Sequence, residues 1–224
     1  MSKPYVVGID IGGTNTVFGI VDARGVVLAS SSIKTRKNPT IEGYLDELHT
    51  ELTKLLEAND AVGKIHGIGI GAPNANYYTG TIESGVNLPW PTPIPLAKLV
   101  SEKFGIPVSI TNDANAAAIG EMTYGAARGL KDFIMITLGT GVGSGIVING
   151  QLVYGHDGFA GELGHIIVKR NNGRLCGCGR RGCLETYCSA TGVAQSAREF
   201  LEARASEPSL LRNICLLYTS DAAD

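Results

Sequence analysis

Residues 5–15 read Tyr5-Val-Val-Gly-Ile-Asp10-Ile-Gly-Gly-Thr14-Asn15, and residues 132–145 read Asp132-Phe-Ile-Met-Ile-Thr-Leu138-Gly-Thr140-Gly141-Val-Gly-Ser-Gly145. Each stretch carries an apolar, β-branched strand into a Gly-Thr turn and out into another strand. Two such units, over a hundred residues apart, indicate a duplicated architecture in which each half opens with a β-hairpin. Outward from the first turn, Tyr5–Ile11, Thr16–Val21 and Val26–Ile33 read as three antiparallel strands. Pro39 and Thr40 open a helix whose stripe is Ile41, Leu45, Leu48, Leu52, Leu55 and Leu56. Ile65–Gly71 is a buried strand, Leu96–Phe104 a helix and Val108–Thr111 a strand, and an Ala-rich helix is predicted from Asp113 to Ala127. Residues 132–138 and 145–148 are strands again, and residues 189–206 a helix stopped by Pro208, with Val193, Ala197, Phe200 and Leu201 apolar. The segment 72–95, rich in Pro, Gly, Asn and Tyr, is too long for a plain connector and reads as a functional loop. Alternating elements with a mixed sheet give an α/β class, with lobes at 1–111 and 112–214.

Composition removes several classes of function. With 44% hydrophobic and 18% charged residues and a net charge of −2, the chain is neither disordered nor a nucleic-acid binder by bulk charge. No apolar run is long enough to span a bilayer, and the N-terminus enters a strand with no signal-peptide core, so a cytoplasmic protein is expected. Glycine, at 30 of 224, is the outlier and signals tight turns or close backbone approach to ligands.

Both Gly-Thr turns can aim successive backbone amides into one concavity, an anion nest. Thr14 adds a hydroxyl, and Asp10 stands where it could hold a Mg²⁺ water. Neither a Walker A lysine nor a GxGxxG opening a helix is present, which excludes P-loop and Rossmann readings. Asn112-Asp113-Ala-Asn115 follows a strand and starts a helix, so Asp113 is a helix-start residue or a general base. His165 with Cys176, Cys178 and Cys183 is a complete structural zinc ligand set. Disulfides are a poor alternative in a cytoplasmic chain, and Cys176 is too close to Cys178 for an easy bridge. Cys188 reads as a buried inert thiol. Glu162 and His165, at i and i+3, face one point if the segment is a turn or helix, and Glu185 follows a presumed ligand by two residues.

These motifs in combination resemble the ROK family of sugar kinases and regulators, in the actin/Hsp70/hexokinase (ribonuclease H-like) superfamily, and most closely its glucokinases. The likeness runs from Tyr5 to about Phe200 and rests on Asp10–Thr14, Asn112-Asp113, Leu138–Gly145, Gly161-Glu-Leu-Gly-His165 and Cys176-x-Cys178-x₄-Cys183-x-Glu185. It implies that Asp113 is the catalytic base and that Asn87, Asn112, Asp113, Glu162, His165 and Glu185 hold the sugar. It also implies that Asp10, Gly12, Gly13, Thr14, Thr140 and Gly141 bind ATP phosphates and Mg²⁺. His165 would place one ring nitrogen on zinc and the other towards the sugar. The activity implied is ATP-dependent phosphorylation of the 6-hydroxyl of glucose, with N-acetylhexosamines and fructose open. The implied partners are sugar and ATP, without nucleic acid or membrane, in a homo-oligomer, a dimer, at full length. A family regulator would carry a helix-turn-helix before the first turn, and the lead here is too short for one. An actin-like ATPase would need no sugar cradle. One departure is Gly71-Ala-Pro73-Asn74, where the family often has Gly-x-Pro-Gly; Asn tolerates the left-handed conformation better than most residues.

The last ten residues, Cys215-Leu-Leu-Tyr-Thr-Ser-Asp-Ala-Ala-Asp224, resemble the in-frame translation of a transposase sequencing adapter. They are expected to be a scar outside the fold, with the second lobe incomplete and the 224-residue chain inactive as a kinase. Without them the acidic residues equal the 19 basic ones in number.

Overall fold

The computed structural model describes residues 4–84 and 88–214. Asn87 and the adapter-like tail, residues 215–224, lie outside them. The elements are β1 (Tyr5–Ile11), β2 (Asn15–Asp22), β3 (Val27–Lys34), α1 (Ile41–Ala58), β4 (Ile65–Gly71), β5 (Ala75–Asn76), β6 (Thr81–Ile82), α2 (Leu96–Phe104), β7 (Val108–Thr111), α3 (Asp113–Thr123), β8 (Phe133–Leu138), β9 (Val142–Ile148), β10 (Gln151–Leu152), α4 (Glu185–Cys188) and α5 (Ala190–Ala203). They form two compact units. One holds the described residues up to Phe133 with Ile146–Ala160; the other holds Ile134–Gly145 with the described residues from Gly161 onward. Residues 112–133 therefore pack with the first unit.

In the first unit the sheet order is β3-β2-β1-β4-β7. β1 pairs antiparallel with β2 and parallel with β4, and β4 pairs parallel with β7. Alternation decides the faces of β1: Val7, Ile9 and Ile11 are buried, while Val6 and Asp10 point outward. α1 starts where the Thr40 hydroxyl accepts the Gly43 N–H, and it buries Tyr44, Leu45, Leu48, Leu52 and Leu56 at helical spacing. Three buried hydroxyls in this core pair with one another. The Thr16 hydroxyl bonds Thr35 Oγ1 at 2.9 Å and the Tyr44 hydroxyl at 3.0 Å, all three residues being fully buried. The Tyr44 ring packs on the sole tryptophan, Trp90, with centroids 4.5 Å apart, and Trp90 Nε1 donates to the Asn38 carbonyl.

The loop 72–95 contains structure of its own, since β5 and β6 form a small hairpin and Ile82 bridges to Ile94. Asn74 adopts φ 52°, so it does supply the left-handed turn that a glycine would. The Ala-rich helix ends at Thr123, not Ala127: Gly125 follows, and Glu121 Oε2 accepts the Ala126 N–H, turning the chain out of the helix.

In the second unit, residues 134–138 of β8 and 142–145 of β9 flank the second Gly-Thr turn. Ile134, Ile136 and Leu138 are each more than half exposed on one face of β8. α5 ends at Ala203 and also leaves Val193 and Phe200 exposed. Cys188 on α4 is half-buried, not buried as its apolar reading suggested, because a four-residue helix covers only one side of it.

Candidate functional site

Register places the polar residues of the first unit. Asp10 stands opposite Gly71, and Gly71 opposite Thr111, at the carboxyl ends of the parallel strands β1, β4 and β7. Ligands of open α/β sheets gather at that end. The chain then turns into α3. Asn112 caps it, its Oδ1 accepting the Ala114 N–H at 2.9 Å, and Asp113 Oδ1 accepts the same N–H at 2.8 Å. The helix dipole favours a carboxylate at that first turn. Asp10 responds to the pair: partial burial of its carboxyl, then the charge of Asp113, raise it above the usual carboxylate range. Two acids thus face each other, with Asp113 open to solvent. The first Gly-Thr turn lies beside them in sequence. Gly12 N–H donates to the Asn15 carbonyl at 2.9 Å and closes the turn, so Gly12 shapes the loop. The Thr14 carbonyl accepts the Thr35 N–H and anchors the turn to the core.

The second unit brings together Thr140, Gly141, Glu162, His165, Glu185 and the cysteines. Glu185 Oε2 accepts the Val142 N–H at 3.0 Å, and a Cβ on Gly141 would stand 2.5 Å from that oxygen. A side chain there would push the Glu185 carboxylate off the turn. The same turn is held by α5, whose Ala190 N–H donates to the Gly139 carbonyl at 2.9 Å. Glu162 precedes a 3₁₀ turn, Leu163–His165, which sets His165 Nε2 4.0 Å from Glu162 Oε2.

The other ring nitrogen faces the thiols. His165 Nδ1 is 3.6 Å from Cys176 Sγ, and Cys178 Sγ is 3.7 Å from Cys183 Sγ. All four ligand atoms lie within 4.8 Å of one another. A tetrahedron with Zn–S of ~2.3 Å and Zn–N of ~2.0–2.1 Å needs edges of ~3.5–3.8 Å. The donor set therefore fits Zn²⁺ in chemistry, and two of its six edges already have the length a tetrahedron needs. The Arg180 backbone N–H holds the Cys178 thiol down to about 6, while burial pushes Cys176 up to about 12.

Sequence reasoning missed what holds these pieces in place. A Cβ on Gly164 would meet the Val142 carbonyl at 2.3 Å, and the Ser144 hydroxyl donates to the Gly161 carbonyl, so the 161–165 turn lies directly on β9. Arg174 also went unnoticed. Its side chain, 13% exposed, donates to the Thr186 carbonyl at 2.6 Å, the Gly192 carbonyl at 3.1 Å and Glu199 at 2.7 Å, and lies over the Tyr187 ring. It ties the cysteine loop to α4, which carries Glu185. A cation beside a cysteine motif gives no sequence signal of this kind, because its partners are mostly backbone carbonyls.

Comparison with known proteins gives the wider context. A profile of the ROK family matches residues 6–221. Glucokinase from Halalkalibacterium halodurans is 41% identical over 201 residues, covering 89% of this chain and 61% of the relative. A xylose repressor from Bacillus spizizenii is 35% identical, covering 86% of this chain and 50% of the relative. A ROK glucokinase from Streptomyces griseus, solved with glucose and AMPPNP, superposes with a TM-score of 0.74 at 39% identity, covering 90% of this chain and 62% of that one. The chain spans about 60% of the length of the glucokinases it matches.

Proposed function

Given that the chain belongs to the ROK family, with the actin/hexokinase-like α/β fold, we propose that the full-length protein to which it belongs phosphorylates the 6-hydroxyl of glucose with ATP. The observation that carries this is the pair of carboxylates at the parallel strand ends, with Asp113 opening α3 and Asp10 beside it. The glucokinase relatives and the Streptomyces griseus complex with glucose and AMPPNP support the choice of sugar and donor.

In this reading Asp113 accepts the proton of the attacking hydroxyl. Asn87, Asn112, Glu162, His165 and Glu185 orient the sugar. The Gly13 and Thr14 amides, with Thr140 and Gly141, neutralise the donor phosphates, and Gly12 closes the first turn. Asp10 would hold Mg²⁺, and a cation there relieves the repulsion that Asp113 exerts on it. His165, Cys176, Cys178 and Cys183 would hold Zn²⁺, whose contribution would be structural: with the Nδ1 side of His165 turned to the thiols, the imidazole would be held in place and Nε2 left for a hydroxyl. Glu185 must exchange its Val142 amide for a hydroxyl, or hold both through its two oxygens. The lobes we infer are 1–111 and 112–214, the halves of the duplication. Cytoplasmic location, a place in glycolysis and a dimeric whole protein complete the proposal; among the described residues no helix is long and apolar enough to cross a membrane.

A second reading, a sugar-responsive regulator, draws on the repressor relatives. Asp113 favours the kinase, because sensing a sugar requires no base. The test is ADP release by the full-length protein over glucose, N-acetylglucosamine, N-acetylmannosamine and fructose, with calorimetric sugar binding alongside. Fastest turnover with glucose is expected. Sugar binding without turnover of any hexose would favour the regulator.

A further inference from the structure

The small hairpin in the first unit presents a surface that the kinase reading does not use. β5 and β6 pair Ala75 with Ile82 and Asn76 with Thr81, so Tyr77 and Tyr78 ride on the tip. Tyr77 stacks on Tyr154 with centroids 4.3 Å apart and planes 10° off parallel, and Tyr78 meets the same ring edge-on. Tyr78 nevertheless stays 59% exposed. Asn76, 4% exposed, ties the hairpin to the loop after Tyr154. Its Nδ2 donates to Glu83 Oε1 at 2.7 Å and to the Asp157 carbonyl at 2.8 Å, and its Oδ1 accepts the Tyr78 N–H. The Tyr78 hydroxyl donates to the Gly155 carbonyl at 3.1 Å. Between hairpin and loop lies a groove of about 420 Å³, lined chiefly by Asn76, Tyr78, Glu83, His156, Asp157 and Phe159.

The volume falls within the ~300–1,000 Å³ of small-molecule clefts. Tyr78 and Phe159 offer ring faces for the C–H side of a pyranose. Glu83 and Asp157 accept from hydroxyls, and the His156 ring can donate or accept. Neither carboxylate pairs with a lysine or arginine among the described residues, so the groove repels phosphorylated or otherwise anionic ligands. The stack and the buried amide hold the walls in advance of any ligand. Tyr154, behind the stack, has its hydroxyl beside Thr111, the residue before Asn112-Asp113. The stack that backs the groove therefore stands near the end of the sheet that carries the base.

We propose that this groove binds a neutral, hydroxyl-rich sugar ring other than the one phosphorylated. The inference rests on the kinase reading, and it widens the ligand class of that site. The ring has two possible sources: the second residue of a disaccharide acceptor, or a free hexose bound beside the acceptor.

Calorimetry on the chain and on Tyr78→Ala and Glu83→Gln, with glucose, maltose and cellobiose, separates them. A disaccharide source gives binding of maltose or cellobiose roughly tenfold tighter than glucose, an advantage lost in both variants while glucose affinity is kept. A free-hexose source gives two glucose equivalents per chain, falling to one in the variants. One glucose per chain with no disaccharide advantage removes the groove and leaves the kinase reading standing. A disaccharide advantage that both variants retain also removes it. A chain that takes up none of the three sugars removes both readings.

Discussion

Asp113 and Asp10 are the same residue type with different work, and their positions separate them. Asp113 begins a helix and is open to solvent, suited to accept a proton and release it. In the full-length protein, Asp113→Asn should cut turnover by ~10²–10⁴-fold while leaving sugar binding nearly intact, since the amide keeps one hydrogen bond. Kinetics with calorimetry checks this, and an unchanged turnover number would remove Asp113 from its role. Asp10 behaves differently. A carboxyl raised in the folded state holds its proton more tightly folded than unfolded, so stability falls as pH climbs from the ordinary value through the raised one. Asp10→Asn should therefore melt slightly higher at neutral pH, by less than ~1 kcal/mol for so accessible a pair. The gap should close once pH drops well below 3.8, the ordinary value of the group. Added Mg²⁺ should raise the melting temperature of the original chain and not that of the variant. Thermal melts across pH, with and without Mg²⁺, read both effects.

At the scale of elements, the second unit depends on short segments with little regular structure. The 3₁₀ turn of Glu162 to His165, the cysteine loop and the four residues of α4 are each too short to be stable alone. Arg174, Glu185 and the four zinc donors cross-link them. Cys178→Ser should lower zinc content from one per chain and weaken sugar binding with it, because the metal fixes His165. Elemental analysis and calorimetry on protein purified without chelator give both quantities. Absence of zinc from the original chain would end the metal claim, and normal sugar binding by a zinc-free variant would break the coupling. The donor set was legible because thiolate chemistry demands a compact spacing. The contacts of Gly164 and Arg174 were not, because they depend on backbone atoms brought close only by the fold.

At the scale of the whole molecule, the periodic elements of the first unit were readable from pattern and the second unit was less so. β1 to β4, α1 and α2 follow apolar alternation or a helical stripe, and the sequence placed them within a residue or two. The ends that failed are those decided by side chains reaching back to the backbone, as at Glu121 and Ala126. Asn87, named for the sugar, lies in a stretch the structure does not describe. The second unit carries exposed Ile134, Ile136 and Leu138 on β8, with Val193 and Phe200 on α5. Apolar surface left in water forgoes ~25 cal/mol per Å². The protein should therefore enhance the fluorescence of anilinonaphthalene sulfonate at neutral pH, and Ile136→Lys should reduce that signal without lowering the melting temperature. Equal dye binding by the variant would show that β8 is covered in solution.

Trp90 gives the first unit its own optical signal. It is the chain's sole tryptophan, 4% exposed and packed at a tilt against Tyr44, whose hydroxyl bonds Thr16. Its emission should be blue-shifted while that core is intact and should move red when it opens. The cysteine cluster, in the other unit, would announce its own opening by releasing the proposed zinc to a colorimetric chelator. A single heating ramp followed at both wavelengths would therefore time the opening of each unit without labels, and show whether the two come apart together or in sequence.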